Sequence, residues 1–179
     1  MDGALKALRG LAEAGPPYRR LGQFFVARTA IYQGRLSQAD ELLAASIGRD
    51  LRAEGESFEI RSRLLRARVA RLRGEEQTAR AELERLLTYS DDALKAESLR
   101  DAGGLWAEIG EVDRARQVLT RLRPLASSRP EPFRDSCVRI LEAEVALAEG
   151  RMSEAAAILA DAALHRPRYQ IDWGLGRVH

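Results

Sequence analysis

Six arginines stand within thirteen residues: Arg61, Arg63, Arg66, Arg68, Arg71 and Arg73. A guanidinium is a planar fork that grips a carboxylate through two parallel hydrogen bonds. At helical spacing, Arg61, Arg68 and Arg71 share one side. The chemistry open to them is capture of an acidic segment or a terminal carboxylate. The plainer alternative is ordinary salt links to the nearby Glu54, Glu56, Glu75, Glu76 and Glu82. A third use, nucleic-acid binding, wants aromatic platforms beside the charges. Here the aromatics are scattered, and later stretches are acidic (Glu108, Glu111, Asp113; Glu142, Glu144, Glu149), so nucleic acid is the least favoured.

No other cluster points to chemistry. The two histidines, His165 and His179, are too few and too far apart for a metal cluster or a nucleophile–base pair. His165 reads as a helix-end residue favoured by the dipole. The single Cys137 has no disulfide or zinc partner and reads as a small core residue. The acidic pairs Asp91-Asp92, Glu75-Glu76 and Glu142/Glu144 read as loop or solvated-face groups. The sequence contains no phosphate-cradling glycine loop, HExxH or GxSxG element. The expectation is a protein without catalytic residues, metal or cofactor, and so not an enzyme.

The elements that would position the arginines are helices. The chain has 179 residues, 45% apolar and 31% charged, and Ala, Leu, Arg and Glu, all good helix formers, dominate it. Its net charge of +2 carries no general case for nucleic acid. No apolar run approaches the ~20 residues of a membrane span. The first residues lack a secretory pattern, so the expected location is cytoplasmic.

A pattern recurs four times. A small residue (Ala27, Ala67, Gly103, Ala143) precedes a glycine (Gly34, Gly74, Gly110, Gly150) by seven positions. Alanine follows five after the glycine (Ala39, Ala79, Ala115, Ala155), and leucine four after that (Leu43, Leu83, Leu119, Leu159). The glycines are 40, 36 and 40 residues apart. A period of this size marks stacked supersecondary units. Each reads as helix, tight glycine turn, N-cap, helix, with Ser37, Gln77, Asp113 and Ser153 expected at the caps. The helices fall near 18–33, 37–53, 57–73, 77–89, 93–109, 113–123, 133–149 and 153–165. A short helix, 4–13, precedes them, with Leu5, Leu8 and Leu11 on its apolar face. Residues 124–132 read as the longest connection and a site for proteolytic nicking. Trp106 and Trp173 are expected in packing, and Gly103-Gly104 at a close helix approach.

These residues resemble the tetratricopeptide repeat, whose unit of about 34 residues pairs two antiparallel helices. The matching features are the small residue in the first helix, the inter-helix glycine, the early alanine of the second helix and the large apolar residue one turn later. The proline near the repeat end appears only as Pro167. The longer period, the scarce first-helix aromatics and Leu in place of Phe mark a divergent, long-helix relative. The resemblance implies an all-α, right-handed α-solenoid of antiparallel hairpins. It is expected as one array over 1–179, with repeats at 18–56, 57–92, 93–132 and 133–168, a partial fifth at 169–179, and further protein beyond it. It also implies a concave groove lined by first helices, with Phe24, Arg28, Arg61, Leu64, Arg68, Arg71, Arg100 and Ile140 as candidate groove residues. The implied function is non-catalytic protein–protein interaction with an acidic peptide or a helix. The alternatives are a spacer that self-associates through open repeat ends, or an RNA-binding helical repeat.

Overall fold

The computed structural model describes residues 2–15, 18–47, 56–90, 94–127 and 132–163. Among them are nine α-helices and no strand. These are α1 (Asp2–Glu13), α2 (Tyr18–Tyr32), α3 (Leu36–Ser46), α4 (Glu56–Leu72), α5 (Glu76–Leu87), α6 (Ala96–Glu108), α7 (Val112–Ser127), α8 (Pro132–Ala148) and α9 (Met152–Ala163). The all-α class therefore stands. The chain divides into two compact lobes, Met1–Ala93 and Leu94–His179. In the N lobe each helix packs on the next in sequence, while α2 and α4 meet only sparsely. In the C lobe α6–α7, α7–α8 and α8–α9 pack in sequence, and α6 also packs directly on α8.

The repeated glycines make the hairpins. Gly34, Gly74, Gly110 and Gly150 have φ of 72°, 75°, 83° and 78°, a region costly to any residue with a β-carbon. Each glycine N–H donates to the carbonyl three back (Gly34 to Ile31, 2.9 Å; Gly74 to Arg71, 3.0 Å). The next N–H donates to the carbonyl five back: Arg35 to Ala30, Glu75 to Ala70, Glu111 to Trp106 and Arg151 to Ala146, at 2.8–2.9 Å. This pair of bonds is the Schellman closure, which satisfies the last carbonyls of the first helix. The residue that completes it also begins the second helix, because its own carbonyl accepts from the repeat alanine (Ala39 to Arg35, Ala79 to Glu75, Ala115 to Glu111, Ala155 to Arg151).

That economy corrects the expected caps. The second helices start at Leu36, Glu76, Val112 and Met152, so Ser37, Gln77, Asp113 and Ser153 lie inside the first turn. Arg35 and Glu75 occupy cap positions without a side-chain capping bond. Asp113 pairs with Arg116 at 2.7 Å instead.

The repeat positions are the core. Ala27, Ala67, Gly103 and Ala143 are buried, as are the four later alanines and the four leucines. In the N lobe Ala27, Ala30, Ala39, Leu43 and Val69 cluster, with Phe24, Ile31 and Leu65 packed against them. In the C lobe Ile140, Ala143, Ala146, Ala155 and Leu159 do the same. Glycines also set close approaches. A β-carbon at Gly22 would overlap the backbone of Leu11 and Ala12, which fixes α1 against α2. One at Gly103 would stand 2.6 Å from both Cδ atoms of Leu141.

Two helix ends differ from expectation. α3 stops at Ser46, well before 53: the buried Ser46 hydroxyl donates to the Leu43 carbonyl (2.7 Å), and Ile47 turns extended. α7 runs on through Pro124 to Ser127. The proline lies on the solvent side of the helix. Leu122 and Ala126 meanwhile bury on the other, which offsets the lost bond. Arg134 of α8 donates to the Leu125 carbonyl in the last turn of α7 (3.1 Å). The expected connection from 124 is therefore helical through 127, and 128–131 lie outside the described residues. So do Asp91-Asp92, Glu54, His165, Pro167, Trp173, His179 and the partial repeat 169–179.

Candidate interaction surface

Helix α4 sorts its arginines by face. Arg63 and Arg66 point into the lobe. Arg63 reaches Glu59 (2.6 Å) and Glu82 of α5 (2.8 Å), and Arg66 reaches Glu82 (2.7 Å) and Asp40 of α3 (2.8 Å). Glu82, its side chain 10% exposed, bridges the two guanidinium groups. Burial opposes the charge on Arg63 most strongly, yet its bonds to Glu59, Tyr89 and Glu82 hold its pKa above the ordinary arginine value. Burial, then the bond to Glu59, pushes the Tyr89 hydroxyl up. Arg73 continues the chain of charge to Glu75 (2.8 Å) and, more loosely, to Asp40 (3.8 Å). Arg63, Arg66 and Arg73 are thus salt-linked, to the expected Glu82 and Glu75 and also to Glu59 and Asp40.

The opposite face of α4 is exposed. Arg61 and Arg68 lie ~20° apart round the helix, and both are exposed. Leu65 between them is half-buried, and Leu72 is 50% exposed. Arg71 lies ~80° from Arg61 and is half-buried, while Leu64 is a buried core residue.

α2 repeats this face forty residues earlier. Tyr18, Leu21, Phe25, Arg28 and Tyr32 align with Phe58, Arg61, Leu65, Arg68 and Leu72, counted back from each turn glycine. Tyr18 is 56% exposed, Leu21 39% and Tyr32 81%. Arg28 is exposed, with its guanidinium carbon 6.0 Å from the Phe25 ring centre, a cation–π contact. Phe24 turns inward and meets Phe25 and Phe58 edge-on, at 5.7 and 5.5 Å between ring centres. α2 carries Arg19, Arg20 and Arg28 and no carboxylate.

Arg28, Arg61 and Arg68 thus lie exposed on the corresponding face of α2 and α4, and Phe24 turns inward to meet Phe58 of α4. Leu64 is not on that face. Arg100 and Ile140 belong to the C lobe. Ile140 is in its core. Arg100 pairs with Asp101 and has a raised pKa: burial opposes its charge, but Asp101, Cys137 and Glu144 around it favour it. Equivalent first-helix positions in the C lobe hold Glu97, Asp101, Gly104 and Glu108 on α6, and Cys137, Leu141, Glu144 and Ala148 on α8. Gly104, Cys137 and Leu141 are buried. The exposed α2 stripe is the feature that sequence reading missed. Its spacing of three, four, three and four is the available signal, and of its five residues only Arg28 is among the expected groove residues.

Among the described residues, no three His, Cys, Asp or Glu side chains group as metal ligands. No described helix is long and apolar enough to cross a membrane. A scan against protein-family models finds no match to this chain, and a search of curated proteins finds none either.

Proposed function

We propose that the chain is a non-catalytic interaction scaffold, an α-solenoid of tetratricopeptide-like hairpins that binds an acidic segment of a partner protein on the exposed face of α2 and α4. One observation carries the reading. Two successive first helices hold exposed arginine at the same register position (Arg28 and Arg68) and an exposed large apolar side chain at another (Tyr32 and Leu72). Single exposed apolar residues are ordinary, but clustered aromatics ringed by arginine are the composition of binding hot spots. The test is capture from an array of short acidic, neutral and basic peptides, using the native chain and an Arg28→Gln, Arg61→Gln, Arg68→Gln variant. Selective retention of acidic peptides that the variant loses supports the reading. No retention by the native chain, or retention that the variant keeps, overturns it.

A further inference from the structure

Resting on that reading, we infer that the α2 stripe is a seam for one kind of partner element, an acidic amphipathic helix. The seam residues Tyr18, Leu21, Phe25, Arg28 and Tyr32 are three, four, three and four apart. This is the spacing by which one helix presents a continuous line to another. At a rise of about 1.5 Å per residue, the aromatic rings at 18, 25 and 32 stand roughly 10.5 Å apart along the axis. A docked helix returns a side chain to the same line every two turns, at that same step. An extended peptide returns one to the same face every ~6.6–6.8 Å and falls out of step after one ring.

The seam is bounded on both sides. Gly22 draws α1 against one flank of α2, and the Phe24–Phe58 contact ties the other flank to α4. On α4 the corresponding register positions hold the half-buried Leu65, the exposed Leu72 and the exposed Arg61 and Arg68. Charge complementarity selects the occupant's sign. α2 has no carboxylate, and Arg28 sits within the seam, held over Phe25 where an incoming carboxylate reaches it. The occupant therefore has apolar residues at heptad positions a and d and Glu or Asp beside them. This is the helix-in-groove mode of recognition.

The experiment measures fluorescence anisotropy with synthetic peptides of about three heptads. One has Leu at a and d with Glu at e and g; a second has Lys at e and g; a third is the acidic peptide broken by central prolines. The intact chain should bind the acidic helix, more weakly at high salt. Leu21→Ala with Tyr32→Ala should weaken binding by about tenfold or more while leaving the melting temperature in place, since both side chains are exposed. Equal binding of acidic and basic helices, or unchanged binding by the double variant, overturns the inference. Equal binding of the proline-broken peptide, lost in the arginine variant, overturns the helical seam but keeps acidic-segment binding. Failure of both acidic peptides removes both. Tighter binding of oligouridine than of the acidic helix would reassign the aromatic–arginine face to single-stranded RNA.

Discussion

Helices α4 and α6 hold the same place in successive repeats but solve their packing in opposite ways. Eleven and eight residues before the turn glycine, α4 has Arg63 and Arg66, answered by Glu82 eight after it. At the same positions the C lobe has Leu99, Ala102 and Val118, all buried. α6 then offers Gly103 and Gly104 to α8, and the two first helices pack directly. In the other pair the earlier helix, α2, has Ala27 and Arg28 at those positions and barely meets α4. The close pair buries its shared face. The sparse pair leaves Tyr32, Leu72, Arg28 and Arg68 to solvent. An exposed apolar and basic surface thus arises where repeat packing is left incomplete, and a largely buried ion network lies on the other side of α4.

The largest expected effect comes from breaking that network. Glu82→Val should destabilise the chain by about 3 kcal/mol, because it leaves two half-buried arginines undercompensated. Arg63→Leu, Arg66→Ala and Glu82→Val together place the C-lobe residues in the N lobe. That triple variant should recover part of the loss, since exchanging buried ions for apolar residues is often near neutral, while the buried Glu59 carboxylate, left without Arg63, keeps the rest. Urea unfolding of both variants decides the matter; a triple variant no more stable than the single one would mean the two solutions are not interchangeable.

In the C lobe, Gly103→Val should cost ~1–3 kcal/mol by driving a branched side chain into Leu141. An unchanged unfolding midpoint would show that α6 and α8 are not held by close approach. Gly74→Ala should cost roughly 1–2 kcal/mol, because its φ is 75° and only backbone strain opposes the methyl in open space. Gly110→Ala should match it across the lobes; a mismatch would show that the turns differ in more than φ.

The smallest effects are set by pH and differ by lobe. Hydrogen bonds from Arg151, then Arg116, hold the Glu149 carboxyl below the usual carboxylate range. A depressed carboxylate gives its stability above the unfolded value and loses it as pH falls through the folded one. Tyr89 is raised, so its contribution is whole below the ordinary tyrosine value and lost as pH climbs past it. Acid should therefore soften the C lobe slightly and alkali the N lobe. Melting curves of Glu149→Gln and Tyr89→Phe, which should flatten the acid and alkaline limbs respectively, check this.

The repeat positions were legible because their types carry their roles. Ala27, Ala39 and Leu43 are buried at the spacing a helical hairpin requires, and Gly34 takes the left-handed turn only glycine occupies cheaply. Facing was harder to read. Arg63 and Arg61 are two residues apart and identical in type, yet one is bridged inside and the other exposed. That distinction depends on Glu82, nineteen residues from Arg63. The caps were misread because one backbone residue serves both helices, which side-chain preference does not reveal.

Charge placement is conserved in position while its sign is not. Asp40, six after its glycine, faces Arg73, one before the next. Arg116 and Glu149 take the same two places reversed.

The shared residue after each turn glycine has one more consequence, for chain length. With no spare residue between the helices, one inserted after Gly34 would rotate α3 by ~100° and carry Ala39 and Leu43 off the core. The hairpins are thus closed to insertion and deletion. The four-residue difference between the 40- and 36-residue spacings must be taken up outside the turn-to-leucine segment, whose length is the same in all four repeats.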